Sequence, residues 1–143
     1  MTSAKPGIRI SSLSSTWPEA SCQVEFLPSF WVFKTHFPQN PILPAAQLLQ
    51  FVCDFIIENI REQIGCEYLI WVSELLRAHF QSMVRPNELL QIRVVSKSLP
   101  NSQEPLMRNF ECQFTVLKSA DVSRVGQGKC IIKVSSRQIE RAS

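Results

Sequence analysis

One side chain, His36, carries the best case for acid–base chemistry in this chain. His36 is one of only two histidines and stands in Thr35-His36-Phe37-Pro38-Gln39-Asn40-Pro41-Ile42-Leu43-Pro44-Ala45-Ala46. An imidazole titrates near neutral pH and works as base or acid. Each proline restricts φ to about −65° and removes a backbone donor. It also drives the residue before it toward extended geometry, so Phe37, Asn40 and Leu43 are expected to be extended. The histidine is therefore expected on a stiff, non-helical loop. Pro44 suits the first turn of a helix, where its missing N–H costs nothing. The free N–H groups of that turn follow His36 within a few residues and can polarise an acceptor atom. A pre-positioned imidazole beside such donors is a candidate acid–base site.

The elements that must position these groups are legible in outline. Pro44 to about Ile64 reads as the single long helix, closed by Gly65 at the C′ position. Leu48, Leu49, Phe51, Val52, Phe55, Ile56, Ile57 and Ile60 make it apolar almost all round, as expected of a buried helix. A polar line nevertheless runs along it at Gln47, Gln50, Asp54 and Glu58, and the spacing puts all four on one face. That line is either a solvent-facing side or part of a site. Cys22–Phe26 alternates as a strand, and Phe30–Phe33 is a short apolar stretch before the loop. Four strand-like runs follow the helix, at Tyr68–Ala78, Leu89–Ser98, Arg108–Lys118 and Gly128–Ser136. Pro86-Asn87, Pro100-Asn101-Ser102 and Ser119–Ser123 supply the turns. Residues 1–16, polar and Ser-rich, read as a flexible arm with at most a short strand at Ile8–Ile10. One domain is expected over 17–137, with a short tail at 138–143. The order of strands, one helix and an antiparallel meander predicts an α+β fold, one long central helix wrapped by a curved antiparallel sheet.

Composition narrows the function classes. The chain has 143 residues, 45% of them apolar, enough for one buried core. No apolar run approaches the roughly 20 residues of a membrane span, and Met1–Ser12 lacks a signal-peptide core. Five cysteines without a C-x-x-C pair read as reduced, buried thiols of a cytoplasmic protein. Ligand spacing for zinc is missing. A net charge of +3 without a basic, aromatic-interleaved stripe argues against nucleic acid and suits brief contact with an acidic protein. Nucleophile motifs of the G-x-S-x-G or Cys/His kind are absent, and Ser73-Glu74 resembles none. Trp17, Trp31 and Trp71 read as core or interface aromatics. His79 reads as structural or rim-facing, and Phe80 and Met83 as packing residues that could also line a tunnel.

His36-Phe37-Pro38-x-x-Pro41-Ile42-Leu43-Pro44 resembles the H-F-P-x-x-P-[VI]-x-P-G signature of hotdog-fold 3-hydroxyacyl-acyl-carrier-protein dehydratases of the FabA/FabZ type. The segment from Glu74 to Glu88 is similar to that family's strand ending in A-R-F with a V-x-P-G-D turn, Asn87 standing for the glycine. Together the pattern spans roughly Cys22 to Ser136. The chain is most similar to the shorter dehydratases of polyene- and polyketide-type pathways.

The resemblance implies a hotdog fold, and a homodimer or heterodimer with another hotdog subunit. It also implies acyl carrier protein as partner and no cofactor beyond the carrier's phosphopantetheine arm. It implies His36 as the base that removes the proton next to the thioester carbonyl. The Ala45 N–H would hold the thioester oxygen, with Ile42, Pro44 and Ala46 around the substrate and the Ile42 carbonyl orienting the imidazole. The family's acid, contributed across the dimer, falls at Gln50, and an amide cannot deliver a proton as a carboxylic acid does. Asp54, one helical turn further on the same face, reads as a displaced acid, exchanged with the glutamine. Two alternatives stay open: a catalytically silent hotdog subunit that binds acyl chains or supports an active partner, and an acyl thioesterase on the same fold.

Overall fold

Strict alternation puts Ala20, Cys22, Val24 and Phe26 on one face of a strand, and all four are buried. The computed structural model describes residues 5–100 and 107–136. They form β1 (Ile8–Thr16), β2 (Glu19–Phe26), a 3-10 turn (Trp31–Lys34), α1 (Ala45–Ile64), β3 (Tyr68–Phe80), β4 (Leu90–Leu99), β5 (Met107–Lys118) and β6 (Arg124–Ser136). The six strands make one antiparallel sheet in the order β1-β2-β4-β5-β6-β3. The connection from β2 to β3 crosses from the second strand position to the opposite edge of the sheet, and α1 lies within that connection. This is the expected hotdog architecture.

Register aligns the inner rows. Ala20 pairs with Val94, Val94 with Phe114, and Phe114 with Gly128. Ser96, Cys112 and Cys130 form a second row, and the buried Ser96 hydroxyl lies 3.3 Å from the Cys112 sulfur. Leu48, Phe51, Val52, Phe55, Ile56 and Ile60 of α1 are buried in the same core. Each such side chain contributes about 1.5–3 kcal/mol when taken out of water. Leu49 and Ile57 are only half-buried, so the helix is less enclosed than its apolar composition suggests. Gly65 ends it with φ 106°, a backbone geometry open to glycine, and the Gly65 N–H donates to the Arg61 carbonyl at 2.8 Å.

The arm expected over 1–16 is corrected. Ile8–Thr16 is an edge strand paired with β2 from Ile8↔Phe26 to Thr16↔Glu19. An edge strand needs little apolar content, because backbone pairing on one side supplies its main contacts. Ile8 and Ile10 pack on the core, and the Ser15 hydroxyl donates to the buried Asn59 side-chain oxygen at 2.7 Å. Residues 101–106, with part of the expected Pro100-Asn101-Ser102 turn, and the tail at 138–143 lie outside the described residues. Asn87 has φ 69°, the left-handed geometry expected of a residue replacing glycine. Among the described residues no helix is long and apolar enough to cross a membrane.

The five cysteines are free thiols. Burial pushes the Cys22 thiol up to about 12, and burial together with the Asp54 carboxyl pushes Cys53 up as well. Cys66 is the exposed one. Iodoacetamide at pH 8 should therefore modify Cys66 first, leaving Cys22, Cys112 and Cys130 intact until denaturant is added, as read by peptide mass mapping. Ile56→Ala, at a fully buried site, should cost about 2–5 kcal/mol in urea unfolding, whereas Gln63→Ala on the exposed side should stay within about 0.5 kcal/mol.

Candidate active site

His36 stands where the 3-10 turn gives way to the proline loop. The Thr35 and His36 N–H groups both donate to the Val32 carbonyl, at 3.2 and 3.1 Å. The His36 carbonyl accepts from the Ile42 N–H at 2.9 Å, and the Asn40 N–H closes a turn onto the Phe37 carbonyl at 3.0 Å. The Leu43 N–H donates to the Val84 carbonyl at 2.8 Å in an isolated bridge. The Arg85 guanidinium also holds the Asn40 side chain, and the Arg85 N–H donates to the Glu88 carboxylate at 2.6 Å. Both backbone groups of His36 are thus engaged while its imidazole is exposed. The ring lies against Phe37, with centroids 5.6 Å apart.

In this chain the Ile42 N–H serves the His36 backbone, and the imidazole Nδ1 lies 3.5 Å from the Thr35 hydroxyl oxygen. Ile42 closes the loop through its N–H, and the Thr35 hydroxyl stands beside the histidine ring. Adjacency in the sequence is the signal by which Thr35 could have been found.

Pro44 is the cap residue of α1 rather than its first helical residue, with φ −62° and ψ 143°. Its carbonyl accepts from the Gln47 and Leu48 N–H groups at 3.0 and 3.2 Å. The N–H groups of Ala45 and Ala46 have no acceptor among the described residues, and both residues are exposed. Donors of this kind at a helix start bind developing negative charge on an oxygen.

Gln50 and Asp54 meet on the helix surface, where the Gln50 amide nitrogen donates to Asp54 Oδ1 at 3.0 Å. The second carboxylate oxygen accepts from the Lys5 ammonium at 2.9 Å. Lys5 lies 49 residues away, and no sequence signal connects it to Asp54. His36 makes no hydrogen bond to either residue within the chain; Gln50 and Asp54 bond to each other instead. Gln47, Gln50, Asp54 and Glu58 are all at least partly solvent-accessible, and Glu58 pairs with Arg61 at 2.7 Å.

Pro28, Phe33, Lys34, Pro38, Pro41 and Pro86 line an open groove of about 340 Å³ beside the loop. Trp31, Phe37 and Met83 are more than half exposed, at 61%, 56% and 56%, so Trp31 and Met83 do not serve the core. Trp17 does, edge-on to Phe110 with centroids 5.7 Å apart, and Phe80 stacks on Phe114 at 6.3 Å. Among the described residues no group of three or more His, Cys, Asp or Glu side chains is placed to hold a metal ion.

Comparison with known proteins agrees with this fold. Residues 13–122 match the model of a family described as ApeI-like, ApeI dehydratase. That match covers most of the chain, which therefore belongs to the ApeI-like dehydratase family. The fold is similar to that of a chain in the dehydratase heterocomplex ApeI:P from Xenorhabdus doucetiae. The TM-score is 0.58 at 19% identity, over 92% of this chain and 99% of that one. It is also similar to the thioesterase HI1161 from Haemophilus influenzae, with TM-score 0.63 at 11% identity over 92% of this chain and 80% of that one. The fluoroacetyl-CoA thioesterase FlK shares the fold at TM-score 0.63 and 8% identity, over 87% of this chain and 90% of that one. No curated protein matches the chain.

Because the loop is held by backbone bonds and prolines, His36→Ala should change stability by no more than about 0.5 kcal/mol in urea unfolding. Arg85→Ala, which releases Asn40, should instead speed amide hydrogen exchange at Asn40 and Ile42 without shifting global stability by more than about 1 kcal/mol.

Proposed function

We propose that the chain is a hotdog subunit of a dehydratase that acts on 3-hydroxyacyl thioesters delivered by an acyl carrier protein. The observation that carries this reading is an exposed imidazole on a rigid loop, followed by the unengaged Ala45 and Ala46 N–H groups. Elimination requires a base for the proton next to the carbonyl, and His36 is that base. Enolate charge builds on the thioester oxygen, and the Ala45 N–H receives it. Ile42, Pro44 and Ala46 flank the same point of the chain and bound the substrate there. The proline-lined groove beside the loop offers an apolar wall for the pantetheine arm, with Lys34 at its edge. Asp54 is the carboxyl group that would protonate the departing hydroxyl.

A second reading concerns that last role. Both Asp54 oxygens already accept hydrogen bonds, one from Lys5 and one from Gln50. A carboxylic acid would have to give up one of these bonds to present its proton. This favours a division of labour in which the chain contributes His36 and a second hotdog subunit supplies the acid. The β3 edge supports such a partner. Residues 73–79 are all exposed, and Trp71, Leu75 and Leu76 stand 38%, 46% and 45% exposed on this sheet-end strand. A long apolar edge is one that proteins cover. The similar ApeI:P structure is itself a heterocomplex.

Hydration of a 2-enoyl pantetheine thioester tests the reading directly. We expect hydration that His36→Ala abolishes, and no release of free thiol; thiol release would instead mark a thioesterase. Asp54→Asn should lower the rate by roughly 10²–10⁴-fold if Asp54 is the acid. An unchanged rate assigns the acid to the partner subunit. Sedimentation at micromolar concentration should show a dimer, and Leu75→Lys on the β3 edge should shift it toward monomer.

A further inference from the structure

We propose that Thr35 is a positioning residue for His36. Its hydroxyl holds the proton of the neutral imidazole on Nδ1 and so leaves Nε2 as the basic nitrogen of the ring. The inference rests on the reading that His36 is the base, and it names the group that keeps the ring ready for that task.

A neutral imidazole carries its proton on one nitrogen only, and a neighbouring hydrogen bond decides which. Left unbonded, the ring favours protonation on Nε2, which puts the free lone pair on Nδ1. In His36 that lone pair would face Thr35.

The Thr35 hydroxyl has two neighbours within reach. Its oxygen lies 3.2 Å from the Val32 carbonyl oxygen and 3.5 Å from His36 Nδ1. A hydroxyl has one proton to give, and a carbonyl oxygen can only accept. The closer contact is therefore a hydrogen bond only when Thr35 donates to Val32. The Thr35 oxygen then presents a lone pair to Nδ1, and that contact is favourable only when Nδ1 carries the hydrogen. Nε2 keeps its own lone pair and can take a proton.

The loop holds the two side chains in this relation. The Thr35 and His36 N–H groups donate to the same Val32 carbonyl, and the His36 carbonyl accepts from the Ile42 N–H. Thr35 is β-branched and stiff at χ1, so its hydroxyl stays where the backbone aims it. The Phe37 ring also lies against the imidazole. The freedom left to His36 is a turn about χ2. A flipped ring would present a carbon to the hydroxyl, so the same contact selects both the orientation of the ring and its tautomer.

The test is nitrogen-15 NMR of the full chain, at a pH high enough to keep both imidazoles neutral, with His79→Gln used to assign the His36 signals. The wild type should carry the His36 proton mainly on Nδ1. Thr35→Val keeps the branched shape and removes the hydroxyl. It should move the tautomer ratio toward Nε2–H by about two- to tenfold, the worth of one neutral hydrogen bond, and Thr35→Ser should keep the wild-type ratio. In hydration of a 2-enoyl pantetheine thioester, Thr35→Val should lower kcat by up to about the same factor with KM unchanged, and Thr35→Ser should restore it. Amide exchange at His36 and Ile42 should be alike in all three proteins, as a loop that has not moved requires. A wild-type ring protonated on Nε2, or a ratio that Thr35→Val leaves unchanged, would overturn the role of Thr35. A shifted tautomer with an unchanged hydration rate would overturn its part in catalysis. Expected tautomers without any hydration by the wild type would overturn the functional reading and leave the pairing of Thr35 with His36 standing.

Discussion

Apolar contact between α1 and the inner rows of the sheet is the constraint on which the other features depend. Val52, Ile56 and Ile60 are fully buried, and they face strands whose inner residues repeat every second position. Once α1 lies on that face, its N-terminus must receive the chain from the end of β2. The connection, residues 27–44, is stiffened by Pro28, Pro38, Pro41 and Pro44, so it can take few courses. His36 and the Ala45 and Ala46 N–H groups consequently lie on and just after a connection whose ends are set by the packing of β2 and α1.

The same packing divides the site. The face of α1 turned from the core carries Gln50 and Asp54, and these bond to each other and to Lys5 instead of to His36. The exposed imidazole stands on the loop, and the polar helix face makes its own bonds. The exposed second half of β3 offers the edge where a neighbour would lie.

Much of the fold was legible because it follows local rules. Gly65 ends the helix where a C′ glycine belongs, and Asn87 adopts the left-handed turn that replaces glycine. The strands after the helix occur where period-two alternation places them, with ends shifted by at most four residues because fraying and edge pairing are not local properties. β1 was read as a loose arm because Ser and Thr residues give no apolar alternation. It is a strand because the β2 edge offers it partners, which is tertiary information. Trp31 and Trp71 were candidates for core or interface, and their exposure excludes the core within this chain.

The sequence by itself determined the element types, the stiff loop around His36, the polar line on α1 and the membership implied by the His-Phe-Pro signature. These depend on backbone preferences and side-chain periodicity, which act between near neighbours along the chain. Only the tertiary structure decided what the polar line touches. Lys5 and Asp54 are 49 residues apart in sequence, and they meet because Gly7 lets the first strand's lead-in press against Phe30. Likewise the Thr35 hydroxyl stands beside the imidazole nitrogen, while the Ile42 N–H closes the loop onto the His36 carbonyl. Hydrogen bonds between distant residues follow from where packing leaves donors and acceptors, and periodicity carries no record of that.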